Sequence, residues 1–300
     1  MKPKNYIPLT LVCIGLLGCL LNVRSDFRRL SKPTGALTIL YTSELRGRTE
    51  PVFTGDGRQA GGMAWIAGLA ADARDQRGTQ NVILIDVGGS MTLGQRDITR
   101  HMNSARYDFA VPGKNELALG ARRLELLAHK ANFALSAANL NDEFKNPVLA
   151  PYHIRTLGNC RVAFIGIAGS AHAADLRIAD VLESCKQLVP ALQKQSDLIV
   201  VVSQAEHSQN RAIAREIEGI DLVISGGWPR FAISQIGKTW LIETGTDGKA
   251  IGEVTLIVEK GRITDVLGGT HVLWHDLYLP DRRMERELKL AGAEDGSTYR

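Results

Sequence analysis

The 300-residue sequence has no run of lysine or arginine, no internal repeat and no low-complexity segment. Its 36 basic and 32 acidic residues leave a net charge of only +4, and the basic ones are dispersed. That distribution offers no electrostatic footprint for nucleic acid, so no nucleic-acid partner is expected. The absence of repeats excludes a stacked-repeat architecture. Beyond the N-terminal region no segment is long and apolar enough to span a bilayer. Cysteine is scarce: there are four, and Cys13 and Cys19 lie within the first apolar stretch. A chain of this length can bury most of its apolar surface without staples. With 44% hydrophobic and 23% charged residues the composition is that of a soluble globular protein of one large or two small domains.

The N-terminus carries a signal of its own. Lys2 and Lys4 precede an apolar stretch over residues 7–21. This is the basic and apolar pattern of an export signal. The stretch ends in Leu16-Leu17-Gly18-Cys19, which resembles the lipobox of bacterial lipoproteins, where the cysteine is lipidated. Residues 1–24 therefore read as a lipoprotein signal with Cys19 as lipidation candidate, an ordinary cleaved signal, or a membrane anchor. All three place the rest of the chain outside the cytoplasm, in the periplasm or outer cell envelope. In such an oxidising compartment Cys160 and Cys185 can pair or stay as buried thiols.

Residues 25–36 read as a linker, 37–280 as a folded domain and 281–300 as a charged tail or helix. Short apolar runs bounded by turn residues predict buried strands at 37–41, 81–86, 133–137, 161–167, 197–203, 221–225 and 240–244. Apolar residues at helical spacing predict helices over 61–74, 121–130, 181–194 and 209–217. Pro190 is expected to bend or split the third of these. Residues 251–259 and 263–267, joined through Gly261, read as a hairpin. The alternation gives an α/β domain with a β-rich end.

In α/β domains ligands bind at loops beyond the C-terminal ends of strands. Here those loops are Thr42-Ser43-Glu44-Leu45-Arg46-Gly47, Asp86-Val87-Gly88-Gly89-Ser90, Tyr107-Asp108 with Gly113-Lys114-Asn115-Glu116, Ser203-Gln204, and Gly226-Gly227-Trp228-Pro229-Arg230. With Gly61-Gly62-Met63-Ala64 and Ala137-Ala138-Asn139, their order and spacing resemble the catalytic domain of 5′-nucleotidase-type metallophosphoesterases, of the calcineurin-like superfamily. The resemblance runs from about residue 37 to about residue 281. It implies a four-layer α/β/β/α sandwich of two mixed β-sheets flanked by helices. It also implies two divalent metals about 3.5–4 Å apart that activate water and clamp a phosphate ester.

The departures fall on the positions that hold the metals. The first-loop aspartate is Glu44 and the histidine after it Arg46. The bridging aspartate is Gly89, and no neighbouring rotamer is expected to restore its carboxylate. The asparagine ligand is Lys114, and the histidine that assists the leaving group is Asn115. The next histidine ligand is Gln204, and the last two are Trp228 and Arg230. Arginine and lysine offer a metal no lone pairs. Asp86 and Asp108 match positions that brace loops. The family's nucleobase-stacking C-terminal domain has no counterpart here, so nucleotide specificity is not expected to carry over.

These substitutions point to a catalytically inactive, exported binding protein with no cofactor. Its partner is a small anionic ligand or a cell-envelope protein, and its membrane link the N-terminal lipid or anchor. Arg46, Lys114 and Arg230 can form a metal-free pocket for a phosphate-like or carboxylate anion, with Trp228 as a stacking face. Equally, Glu44 and Glu116 can neutralise those cations as an internal salt-bridge network. The alternative is an active phosphoric ester hydrolase with a rearranged or single-metal site for Mn, Zn or Fe, built from Glu44, Gln204 and His207. A third reading is a structural partner in an envelope complex. His271 and His275 carry little weight as metal ligands, and His101, His129, His153 and His172 show no ligand spacing.

Overall fold

Strand β1 (Gly35–Thr42) shows why these apolar runs become strands: both of its faces are covered. Leu37, Ile39 and Tyr41 point to one side and Leu40 to the other, and all four are buried. The computed structural model describes residues 34–91, 98–170, 173, 175–227, 230–245 and 248–294. After β1 come β2 (Val52–Phe53), β3 (Gln59–Ala60), α1 (Met63–Arg77), β4 (Val82–Asp86), α2 (Ile98–Ser104), β5 (Phe109–Ala110), α3 (Lys114–Leu117), α4 (Ala121–Lys130), β6 (Ala134–Leu135), β7 (Leu140–Asp142) and β8 (Tyr152–Leu157). The second half holds β9 (Cys160–Ile167), β10 (Leu176–Ile178), α5 (Val181–Leu192), β11 (Leu198–Ser203), α6 (His207–Glu216), β12 (Leu222–Ser225), β13 (Ala232–Ile236), β14 (Thr239–Glu243), β15 (Ala250–Glu259), β16 (Arg262–Val272) and α7 (Arg282–Glu294).

Two six-stranded sheets result, in the orders β16-β15-β1-β4-β5-β6 and β13-β14-β12-β11-β9-β8. β1, β4, β5 and β6 are parallel, as are β9, β11, β12 and β14. Antiparallel strands lie at the edges of both sheets. Parallel neighbours require crossovers, and these place helices on the outer faces. Ile39, Ile85, Phe109, Phe164, Val200 and Ile224 fill the space between the sheets. Leu40 and Leu84 pack outward on Met63, Ile66 and Ala70 of α1. Ile199 and Val201 pack outward on Val181, Val189 and Ile213 of α5 and α6. The architecture is the expected four-layer α/β/β/α sandwich.

Several local expectations are revised. α5 is a single helix, not a split one, because Pro190 falls in its last turn, where little helix remains to be broken. α6 starts at His207, two residues before the apolar periodicity begins. The hairpin arm at 263–267 extends to Arg262–Val272. The edge strands β8 and β13 and the short α2 were not anticipated. Cys160 and Cys185 are both free and buried, not bridged. Cys160 faces the space between the sheets and Cys185 packs on the helix side of the second sheet, so β9 and its neighbours lie between them. Cys19 lies outside the described residues.

Two further features position the site. Asp108 is buried and accepts from the Leu84 amide at 2.9 Å, with Arg155 at 2.6 Å and Arg74 at 3.5 Å, so it braces β4 and β5 as expected of a structural carboxylate. The last helix, α7, docks through the buried Met284 and Leu288. Its Glu287 accepts from Ser104 at 3.1 Å and pairs with Arg100 at 3.5 Å and His101 at 3.3 Å.

Candidate functional site

The loops after β1 and β4 are joined by a ladder of main-chain hydrogen bonds. Val87 donates to Thr42 (2.8 Å), Glu44 to Gly88 (2.9 Å), Arg46 to Gly89 (3.0 Å) and Gly47 to Ser90 (2.8 Å). The Leu45 amide adds a bond to the Ser90 hydroxyl at 3.2 Å. To make this ladder Glu44 and Arg46 adopt left-handed φ values of 55° and 54°. That conformation costs a non-glycine residue about 1–2 kcal/mol, so the surrounding bonds must hold it. Such strain clusters at functional loops.

Beneath the ladder lie two fully buried carboxylates. Asp86 accepts from Thr42 Oγ1 (2.7 Å), Ser90 Oγ (2.5 Å) and the Gly88 amide (2.9 Å). Tyr107 completes this group through Thr42 at 2.8 Å. Burial pushes the Asp86 pKa up to about 6. Glu116 accepts from the amides of Met91 (2.6 Å), Gly113 (3.0 Å) and Gly89 (3.2 Å). Burial, followed by the Asp86 charge, raises it to about 8, against the pull of the amide donors. Glu116 therefore ties the loops after β4 and β5 together from inside, and among the described residues it neutralises none of the surface cations. Its spacing from Gly113 is that of a residue at the third helical position reaching back to the cap, a signal present in the sequence.

Above these carboxylates Glu44, Arg46, Gly89 and Gln204 come together. A Cβ on Gly89 would lie 2.2 Å from Glu44 Oε1, so the glutamate carboxylate occupies the space of the missing bridging side chain. Glutamate is one methylene longer than aspartate and so reaches across to Gly89. One oxygen of that carboxylate, Oε2, is taken by Arg46 Nε at 3.1 Å, and the other has no hydrogen-bond partner among the described residues. Gln204 fills a second gap. A Cβ on Gly88 would lie 2.7 Å from its Cγ, and one on Gly226 would lie 2.4 Å from its Nε2. Its amide nitrogen donates to the Val87 carbonyl, linking the β11 loop of one sheet to the β4 loop of the other.

Lys114 follows Gly113, whose Cβ would lie 2.3 Å from the Gly89 amide nitrogen, so the third loop is in close contact with the second. Lys114 and Arg230 are exposed, and the side chain of neither has an ion pair or hydrogen bond among the described residues. Of the three cations only Arg46 is neutralised, so the internal salt-bridge network is incomplete. Trp228 and His172 lie outside the described residues. His207 is turned to Glu243 at the end of β14. His271 pairs with Glu253 at 3.3 Å, and His275 stacks on Trp65 with ring centroids 3.5 Å apart. Each of these three thus has a partner other than Glu44 and Gln204.

The donor set does not fit a pair of divalent metals. Gly89 has no donor, Arg46, Lys114 and Arg230 present only N–H groups, Gln204 turns its N–H toward Val87, and Glu44 is already paired. Among the described residues no three His, Cys, Asp or Glu side chains gather as a cation site. What the arrangement offers chemically is two exposed cations without side-chain partners among the described residues and a third paired with Glu44.

No protein-family model matches the sequence. It is 24% identical over 337 aligned positions to a probable 5′-nucleotidase of Treponema pallidum, covering 95% of this chain and 55% of that protein. The fold is that of a 5′-nucleotidase precursor from Thermus thermophilus, with a TM-score of 0.75 and 21% identity over 88% of this chain and 59% of that one. It is also that of the calcineurin-like phosphoesterase YfkN from Bacillus subtilis, with a TM-score of 0.71 and 19% identity over 87% of this chain and 98% of the other. The chain spans about half the length of the two nucleotidases.

Proposed function

For a chain whose relatives in sequence and fold are 5′-nucleotidases and calcineurin-like metallophosphoesterases, we propose a role in binding without catalysis. The ligand is a phosphate-like or carboxylate anion held by Arg46, Lys114 and Arg230 in place of the metal pair. The observation that carries this reading is the charge pattern of the loops. Arg46, Lys114 and Arg230 stand at positions that the sequence resemblance matches to metal ligands, and the side chains of Lys114 and Arg230 are exposed and unpaired among the described residues. Guanidinium and ammonium groups suit oxyanions, and arginine can engage them bidentately.

The N-terminal segment, which lies outside the described residues, supports export, with attachment to the envelope through Cys19 as part of the proposal. Among the described residues no helix is long and apolar enough to cross a membrane. β1 begins at Gly35 beside the far hairpin, where the Lys260 amide donates to the Thr34 hydroxyl at 3.2 Å, and it ends at the first site loop. The start of β1 thus lies about 25 Å of strand from the first site loop.

Two measurements test the reading. The purified protein is assayed for bound Mn, Zn and Fe and for turnover of a generic phosphate ester with added metal. Neither near-stoichiometric metal nor turnover is expected. Inorganic phosphate is expected to raise the melting temperature of the wild type and not of Lys114→Ala. Near-stoichiometric metal with turnover lost in Glu44→Ala would replace this reading with the second one, a hydrolase with a single-metal site. The relocated Glu44 carboxylate is what favours that second reading.

A further inference from the structure

We infer that Glu44 is a built-in occupant of the anion site, a carboxylate that holds Arg46 until a ligand displaces it. The inference rests on the anion-binding reading above and goes beyond it by assigning a gate. Three carboxylates lie under or within the loops, and they are held very differently. Asp86 has two hydroxyl donors and an amide, and Glu116 has three amides. Glu44 has one partner among the described residues, the Nε of Arg46 at 3.1 Å. Its side chain is 25% exposed and that of Arg46 65%. Exposed pairs of this kind contribute little, and the contact exchanges readily with another oxyanion.

The geometry also says what exchange requires. The Glu44 backbone is fixed by its bond to Gly88, so only the side-chain torsions are free to move. The carboxylate lies against Gly89, which sets no side chain in its way. Arg46 uses one N–H on Glu44 and keeps its two terminal nitrogens unpartnered among the described residues. A phosphate or carboxylate approaching Arg46 meets that free edge first, and the like charge of Glu44 then opposes it. The glutamate thus lowers affinity for every anion and favours those able to engage the guanidinium through two oxygens.

Isothermal titration of the full chain with inorganic phosphate tests the gate. Glu44→Gln keeps the shape and removes the charge, and is expected to bind phosphate about tenfold more tightly than the wild type. Glu44→Ala is expected to show the same direction. In an Arg46→Ala background the gain from Glu44→Gln should shrink to about twofold or less, because the residue that Glu44 competes for is gone. Wild-type binding with no tightening in either Glu44 variant overturns the gate and leaves the anion site standing. A gain that persists undiminished without Arg46 also overturns it, since the effect would then be general charge removal. Absence of phosphate binding in wild type and variants alike removes the anion site, and the gate with it.

Discussion

Replacing Gly113 by alanine adds one methyl group at the point where the third site loop touches the second. The backbone there is compatible with any residue, since φ is −94°. The added Cβ would lie 2.3 Å from the Gly89 nitrogen, 2.9 Å from its Cα and 3.0 Å from the Gly88 carbonyl carbon. All three are main-chain atoms, so no side chain can swing aside. Ordinary contact needs about 3.5 Å, so the loops must part by about an ångström. That stretches the Glu116 bonds to Met91 and Gly89, now 2.6 and 3.2 Å, beyond hydrogen-bond range or close to its limit. Each buried amide left without its acceptor costs about 1–3 kcal/mol. The substitution is therefore expected to destabilise the fold by about 3–5 kcal/mol, a large share of a typical domain's stability. Urea unfolding measures it, with Gly57→Ala as control: Gly57 has φ +79° and nothing within 4 Å of a Cβ, so only backbone strain of about 1–2 kcal/mol should appear. A Gly113→Ala loss no larger than that of the control would refute the view that the site loops form one tightly packed unit.

Gly89→Ala should cost more in the wild type than in a Glu44→Ala background, by about 1 kcal/mol in a double-mutant cycle; additive effects would show that Glu44 does not fill that space. Asp86 and Glu116 keep their protons to higher pH when folded than when unfolded. Their contribution is therefore intact below about pH 4 and drains as the pH rises toward 8, at about 1.4 kcal/mol per pH unit for each group while only the unfolded state is ionised. Glu116→Gln should flatten that slope in denaturation curves taken from pH 5 to 8, and an unchanged slope would contradict the assignment. Burial raises Cys160 to about 11 and Cys185 to about 12. A thiol reagent at pH 8 should therefore label them only as the chain unfolds, and prompt labelling of the native protein would contradict their placement.

The strands between the two sheets and their glycine-marked ends were legible because a strand covered on both faces is a short apolar run that stops at a turn. β8 and β13 were not: they lie at sheet edges, their residues are mostly half-exposed, and no alternation sets them apart from loop. The site positions were legible from spacing, whereas the relations between their side chains were not. That Glu44 fills the place of residue 89, that Gln204 fills the gap beside Gly88 and Gly226, and that Glu116 turns inward are contacts between loops remote in sequence. Spacing along one chain carries no information about which of two facing residues supplies the volume. The free thiols have the same explanation, since the face of a strand to which Cys160 points can be judged only once its neighbours are known.

The ladder between residues 42–47 and 87–90 is made almost entirely of main-chain groups. Its geometry is thus indifferent to most of the side chains it displays, and a mutation at position 46 changes what the loop presents without changing where it presents it. A lineage with such a ladder can exchange one chemistry for another by single steps, each intermediate still folded. The same property makes position 46 suitable for installing new recognition groups in the laboratory.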